Sequence, residues 1–147
     1  MTLTGPEALE ALGAALASTL RPGDVLALSG ELGAGKTTLA RGILRGLGLA
    51  GEAPSPTFTL VQTYEPPETR LPVWHCDLYR LDDPEEAVEL GLDEARAEAV
   101  LLIEWPERLG AFLPADALRL TLSGAGTPER SLTADVPPGW EGRWPPR

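Results

Sequence analysis

The feature that most constrains this chain is the octet Gly30-Glu31-Leu32-Gly33-Ala34-Gly35-Lys36-Thr37. A Gly-x4-Gly-Lys-Thr pattern works only as the link between a buried strand and a helix, and both neighbours are predicted. Residues 25–29, Val-Leu-Ala-Leu-Ser, form the nearly continuous apolar run of a parallel strand covered on both faces. From residue 36 to 47, Leu39, Ile43, Leu44 and Leu47 recur at helical spacing. Glycines let backbone N–H groups turn inward around a β-phosphate. The helix that follows adds about half a positive charge at its N-terminus. The motif predicts that the backbone of Gly30, Gly33, Ala34, Gly35, Lys36, Thr37 and Thr38 cradles a nucleotide's phosphates. Lys36 then reaches the β- and γ-phosphates, and Thr37 gives its hydroxyl to Mg2+. Lys36 is the only lysine, and the other 11 basic residues are arginines. A composition that otherwise avoids lysine keeps one where a flexible point charge is needed.

The rest of the chain gives this motif a setting. A length of 147 residues fits one domain, and 43% hydrophobic content suffices for one core. A net charge of −10 argues against broad contact with nucleic acid or an anionic membrane. The lone Cys76 allows no internal disulfide and suits a reducing compartment. The first apolar stretch, 9–20, has no basic lead-in and is interrupted by Glu10, so it reads as neither signal peptide nor membrane span. A cytoplasmic location is expected.

Thr4-Gly-Pro-Glu7 has the form of a capping box, followed by Leu9, Leu12, Leu16 and Leu20 on one helical face. After a loop over 49–56, residues 57–64 read as a strand, with Phe58, Leu60 and Tyr64 alternating on one side. A second strand over 73–79 is expected to pair with it antiparallel. Pro84 starts a short acidic helix, and 93–98 forms a second helix or turn. Residues 99–103, the most apolar run, make another buried strand, which ends at Glu104. Strands over 118–122 and 131–136 follow. The expected fold is α/β, a three-layer sandwich of the P-loop NTPase type. Its sheet is mainly parallel with an added antiparallel strand pair, and its connections are right-handed. Residues 1–136 form one domain. Residues 137–147, with four prolines and two tryptophans, form a tail.

A phosphate site of this kind needs a carboxylate for the magnesium shell and a group that positions water. Glu104, at the end of an apolar strand, occupies the Walker B position and is the candidate metal ligand alongside Thr37. Asp77 lies inside a predicted strand, where a carboxylate needs either a site or an ion pair, for example with Arg80. His75, the only histidine, reads as a packing residue, and without a Cys/His cluster a zinc site is not expected. Trp105 either covers the site or fills core, and composition favours core. The hydroxyls of Ser55, Thr57 and Thr59 follow the loop helix in the region where switch segments lie. They either contact the γ-phosphate or begin an ordinary strand. The acidic residues Glu85, Glu86 and Glu89 read as a solvated helix face.

Five segments in order resemble one bacterial family: residues 30–38, Ser55-Pro-Thr-Phe-Thr-Leu60, His75-Cys-Asp-Leu-Tyr-Arg-Leu81, Glu89-Leu-Gly-Leu-Asp-Glu94 and Leu102-Ile-Glu-Trp-Pro-Glu107. They resemble the TsaE (YjeE-type) ATPases of tRNA threonylcarbamoyladenosine biosynthesis, from about the first helix to Leu122. The resemblance implies an ATPase that supports threonylcarbamoyl modification of the adenosine beside the anticodon. It implies weak activity alone and action through a TsaD-like transferase and its TsaB-like paralogue, which would hold the tRNA. By matching position, Thr37 and Glu104 hold Mg2+, Lys36 holds phosphates, Asp77 assists hydrolysis and Trp105 flanks the site. Thr4, Pro6 and Arg130 match more loosely as residues near the nucleotide. Cys76 stands where the family commonly has an aromatic, so packing behind Asp77 is expected to differ.

Two other functions fit the phosphate loop alone. A small-molecule kinase would also need clustered lid arginines, whereas the arginines here are scattered. A binding module with negligible turnover fits as well. A GTPase is excluded: the guanine-reading Asn-Lys-x-Asp motif needs Asn, which the chain lacks.

Overall fold

The computed structural model describes residues 1–56 and 59–146. Seven strands form one mixed sheet, and they are β1 (Thr2–Thr4), β2 (Val25–Ser29), β3 (Val61–Tyr64), β4 (Val73–Asp77), β5 (Val100–Glu104), β6 (Leu118–Ser123) and β7 (Glu129–Asp135). Their spatial order is β1-β7-β6-β2-β5-β4-β3. The four central strands β6, β2, β5 and β4 run parallel, and both edges are antiparallel. The pairing of β3 with β4 is as expected from the sequence. The antiparallel pairs at the other edge, β6 with β7 and β7 with β1, are an addition to that expectation.

Strand parity divides the core into two layers. On one side α1 (Gly5–Ala17) and α2 (Lys36–Gly46) pack over Leu26, Leu28, Val73, Val100 and Leu102. On the other, α3 (Pro84–Leu90), α4 (Leu92–Ala95) and a 3-10 segment, Pro106–Phe112, cover Val25, Ala27, Cys76, Leu101 and Ile103. β2 and β5 are therefore apolar at consecutive positions because both of their faces are buried. Among the described residues no helix is long and apolar enough to cross a membrane.

The structure corrects three local expectations. Among the described residues of the strand expected over 57–64, strand is found at Val61–Tyr64 and not at Thr59 or Leu60. Leu60 takes a positive φ of 65°, and its N–H donates to the Pro56 carbonyl at 2.7 Å, so the chain turns there. Thr57 and Phe58 lie outside the described residues. The capping box does not form: Thr4 is committed to β1, paired with Glu129, and its side chain makes no cap hydrogen bond. The expected tail is packed. Trp140, 2% exposed, joins the core on the α1–α2 side. Arg143 lies over the Trp140 ring at 3.9 Å and donates to both carboxylate oxygens of Asp24 and to the Thr19 carbonyl. Its planar fork matches the Asp24 carboxylate, and so a proline-rich segment with no helical periodicity is held in place.

The two helices beside the phosphate loop approach closely because they meet at glycines. A Cβ added to Gly42 would lie 2.6 Å from the Glu10 carbonyl oxygen of α1, and one on Gly13 would lie 2.7 Å from the Ile43 nitrogen of α2. Ala in place of an exposed mid-helix glycine stabilises by about 1 kcal/mol. At Gly42 the clash is with backbone, which cannot rotate away. Gly42→Ala is therefore expected to destabilise by about 1–3 kcal/mol, read as a lower melting temperature in denaturation. Cys76 is fully buried in the opposite layer, and burial pushes its thiol up to about 12. Its thiolate is thus absent at pH 8, and a thiol reagent such as iodoacetamide should label it only at the rate of unfolding, measured by mass spectrometry with and without denaturant.

Candidate functional site

The carboxyl ends of β2, β5 and β4 lie side by side, with Leu28 opposite Glu104 and Glu104 opposite Asp77. Side chains alternate along a strand, so Asp77 and Glu104 share the face of Val73, Val100 and Leu102, the face α2 covers. The loop from Gly30 to Gly35 leaves β2 and delivers the first turn of α2 above them. One cleft of about 560 Å3 is lined by Leu32, Gly33, Gly35, Lys36, Thr37, Thr38, Asp77, Glu104 and Trp105. The fold thus brings together the loop and the two carboxylates selected from the sequence.

Two glycines of the loop are required by its geometry. Gly30 has φ 146°, and a Cβ there would lie 2.5 Å from the Leu122 carbonyl oxygen. Gly35, at φ 110°, occupies the N-cap of α2, where a Cβ would lie 2.6 Å from Leu9. Positive φ is the conformation that allows a loop to turn N–H groups inward, as a phosphate cradle needs.

Lys36 is 5% exposed. Its Nζ donates to the carbonyl oxygens of Gly30 and of Glu31, the latter at 3.0 Å, and lies 4.3 Å from the Trp105 ring centroid. Burial holds its pKa below the ordinary 10.5, although Glu104, Asp77, Glu107 and Glu31 pull the other way. Desolvation therefore outweighs the four carboxylates, and a bound phosphate would pull in the same direction as they do.

The Thr37 hydroxyl donates to Glu104 Oε1 at 2.8 Å. Glu104 is 2% exposed, and its second oxygen, Oε2, is 2.6 Å from His75 Nε2. A hydroxyl and a carboxylate at a helix N-terminus suit a small hard cation that shares its remaining positions with phosphate and water. Among the described residues no group of three or more His, Cys, Asp or Glu forms a cage that could hold a metal by protein side chains alone. The residues present fit Mg2+ bound together with a nucleotide.

Trp105 directly follows Glu104, at φ 58° and ψ 52°. A left-handed backbone costs a bulky residue about 1–3 kcal/mol. The turn carries its indole over Lys36, where it also meets the Tyr79 ring at 4.9 Å between centroids. The half-buried ring of Trp105 lines the cleft and also packs against the core layer under α3 and α4, so it does both of the things the sequence allowed. Asp77 Oδ1 accepts from the Tyr79 N–H at 3.1 Å.

Among the described residues, Thr4, Pro6, Ser55, Thr59 and Arg130 do not line the cleft. Arg130 donates to the carbonyls of Gly33 and Ala34, at 3.4 and 3.1 Å, and to that of Gly124 at 3.0 Å, so it grips the loop from behind. Thr4 and Pro6 are exposed beside that brace, where the Gly5 N–H donates to the Pro128 carbonyl. Ser55 and Thr59 are exposed and do not line the cleft, and Thr57 lies outside the described residues. His75 is the participant that sequence reasoning missed. Its signal was available: it stands two residues before Asp77 on one strand, and hence on the same face.

Comparison with known proteins agrees with this assembly. A sequence model described as "Threonylcarbamoyl adenosine biosynthesis protein TsaE" matches residues 3–132. The tRNA threonylcarbamoyladenosine biosynthesis protein TsaE of Bacillus subtilis is 41% identical over 129 residues, covering 87% of this chain and 79% of that protein. The TsaE protein of Streptomyces coelicolor is also 41% identical, over 85% of this chain and 95% of its own length. The crystal structure of YdiB from Bacillus subtilis superimposes with a TM-score of 0.79 at 34% identity, covering 97% of this chain and 88% of that one. With a family match over most of its length and a phosphate loop set above two strand-end carboxylates, the chain belongs to the TsaE family of tRNA threonylcarbamoyladenosine biosynthesis proteins.

Proposed function

We propose that this chain binds ATP with Mg2+ and hydrolyses it to ADP and phosphate in support of threonylcarbamoyl modification of the tRNA adenosine beside the anticodon. The observation that carries this reading is the Thr37–Glu104 contact of 2.8 Å beneath the loop that holds Lys36. In it a hydroxyl and a carboxylate from elements 67 residues apart converge where a triphosphate would end. Lys36 exchanges its contacts with the Gly30 and Glu31 carbonyls for phosphate oxygens. Thr37 and Glu104 hold Mg2+, which when bound neutralises charge on the phosphates. Asp77, in the same cleft, orients the attacking water and receives its proton. Trp105 covers Lys36 and limits water at the phosphates. Arg130, with Thr4 and Pro6 beside it, keeps the loop's shape.

Among the described residues that line the cleft, Lys36 is the only cation. Phosphoryl transfer commonly draws on a second cation, supplied in trans where a site has none of its own. Turnover is accordingly weak alone and rises with a TsaD-like transferase and its TsaB-like paralogue in the cytoplasm. Those subunits hold the tRNA, in keeping with the −10 charge of this chain. ATP turnover resets the partner complex between modification cycles.

The decisive measurement is ATP hydrolysis by the chain alone, then with the partner subunits and tRNA. Lys36→Ala should weaken ATP binding about ten- to hundredfold, the value of a lost charge-assisted contact. Asp77→Asn should leave binding nearly unchanged and slow hydrolysis about hundredfold or more. If folded Lys36→Ala or Glu104→Ala protein supports multiple-turnover modification as well as the wild type, the reading fails.

The lowered pKa of Lys36 sets a pH dependence. In the free protein the ammonium is lost as pH rises through a pKa that burial holds below 10.5. Bound phosphate favours the charged form. Nucleotide affinity should therefore fall as pH rises through that lowered pKa, with proton uptake on binding. Calorimetry in buffers of different ionisation enthalpy reads both.

A further inference from the structure

We propose that His75 is a positioning residue, which holds the Glu104 carboxylate turned so that its other oxygen meets Thr37. The inference rests on the nucleotide-site reading above. His75 is fully buried and Glu104 is 2% exposed, so neither relies on water for its contact. The two oxygens of Glu104 are divided between two donors: Oε2 faces His75 Nε2 at 2.6 Å, and Oε1 accepts from Thr37 at 2.8 Å. A carboxylate oxygen can only accept, so the ring donates through Nε2–H.

The terminal torsion of a glutamate is broad, and a carboxylate held at one oxygen alone swings about it. The second contact removes that freedom. It also meets the hydrogen-bonding need of an oxygen that faces the interior.

Packing alone does not account for an imidazole at this position. Nδ1 is buried without a hydrogen-bond partner among the described residues, so the ring's polar link is to Glu104. A leucine would fill the same volume with no polar atom left over. The strand register makes the arrangement possible. β4 and β5 are parallel neighbours with His75 opposite Leu102, so His75 and Glu104 sit two residues apart diagonally on one face. His75 is no candidate for the metal itself, since its one engaged nitrogen is directed at the oxygen that does not meet Thr37.

The test uses the full chain and ADP as probe, with binding measured in EDTA and across a Mg2+ titration. His75→Leu is expected to keep the metal-free affinity, with a lower melting temperature because a buried Glu104 oxygen loses its donor. It should need about tenfold or more Mg2+ for half of the metal-dependent gain, the usual size of an outer-shell effect. His75→Gln, which restores an N–H donor, should recover most of that shift. An unchanged Mg2+ midpoint in His75→Leu overturns the proposal. So does an equal loss in the Leu and Gln variants that already appears in EDTA, which marks a packing role. If the wild type binds ADP with no Mg2+ dependence, or does not bind it, the nucleotide-site reading falls and takes this proposal with it.

A second measurement needs no variant. His75 is the only histidine, so nitrogen-15 NMR reports its ring without ambiguity. The proposal requires a protonated Nε2, the nitrogen that faces Glu104. The opposite tautomer overturns it.

Discussion

The contact between Thr37 and Glu104 joins parts of the chain that are 67 residues apart, and the site depends on it. Thr37 is fixed by the start of α2, and Glu104 by the end of β5. They meet because β2 and β5 are parallel neighbours with their carboxyl ends level, so the loop leaving β2 arches over the residue that ends β5. Parallel adjacency requires crossover segments to cover the sheet. Those segments supply both apolar layers. The core and the site therefore follow from one topological choice.

Electrostatics then sets how the site waits for a ligand. Lys36 is buried among carboxylates, yet desolvation still lowers its pKa. The ammonium is tied to carbonyls of its own loop and faces an indole, partners that hold a cation without neutralising it. An ammonium held in this way still favours an anion. The strained backbone of Trp105 belongs to the same arrangement: a left-handed turn immediately after the buried Glu104 puts the ring over Lys36. The brace behind the loop does complementary work. Arg130 ties Gly33 and Ala34 to the β6–β7 turn, so the loop's curvature is supported from the sheet edge.

Much of this was legible in the chain because the signals are local. Apolar runs marked β2 and β5 as buried, helical spacing marked α1 and α2, and the glycine octet placed the phosphate loop between them. Glu104 was readable as the polar residue ending an apolar strand. The failures were also local in origin. Thr4 looked like a cap because its spacing to Glu7 fits, but pairing with Glu129 claimed its backbone for an edge strand. The segment after Val136 looked like a tail because prolines erase periodicity, whereas Asp24, more than a hundred residues earlier, supplies the anchor for Arg143. Trp105 does both of the things the sequence allowed, and composition, which favoured core, carries no information about the direction of a turn.

The sequence by itself determined the loop, its flanking strand and helix, and Glu104 at a strand end, since each follows from residue type and short-range period, whereas Asp77 was singled out only by the family resemblance. Tertiary structure alone decided what those residues touch. Oε1 of Glu104 meets Thr37 and Oε2 meets His75, Trp105 covers Lys36, and Arg130 stands behind the loop instead of within the cleft. Each of these contacts depends on which strands become neighbours and in what register. That order is set by burial of the whole sheet between two layers, and no short window of sequence contains it.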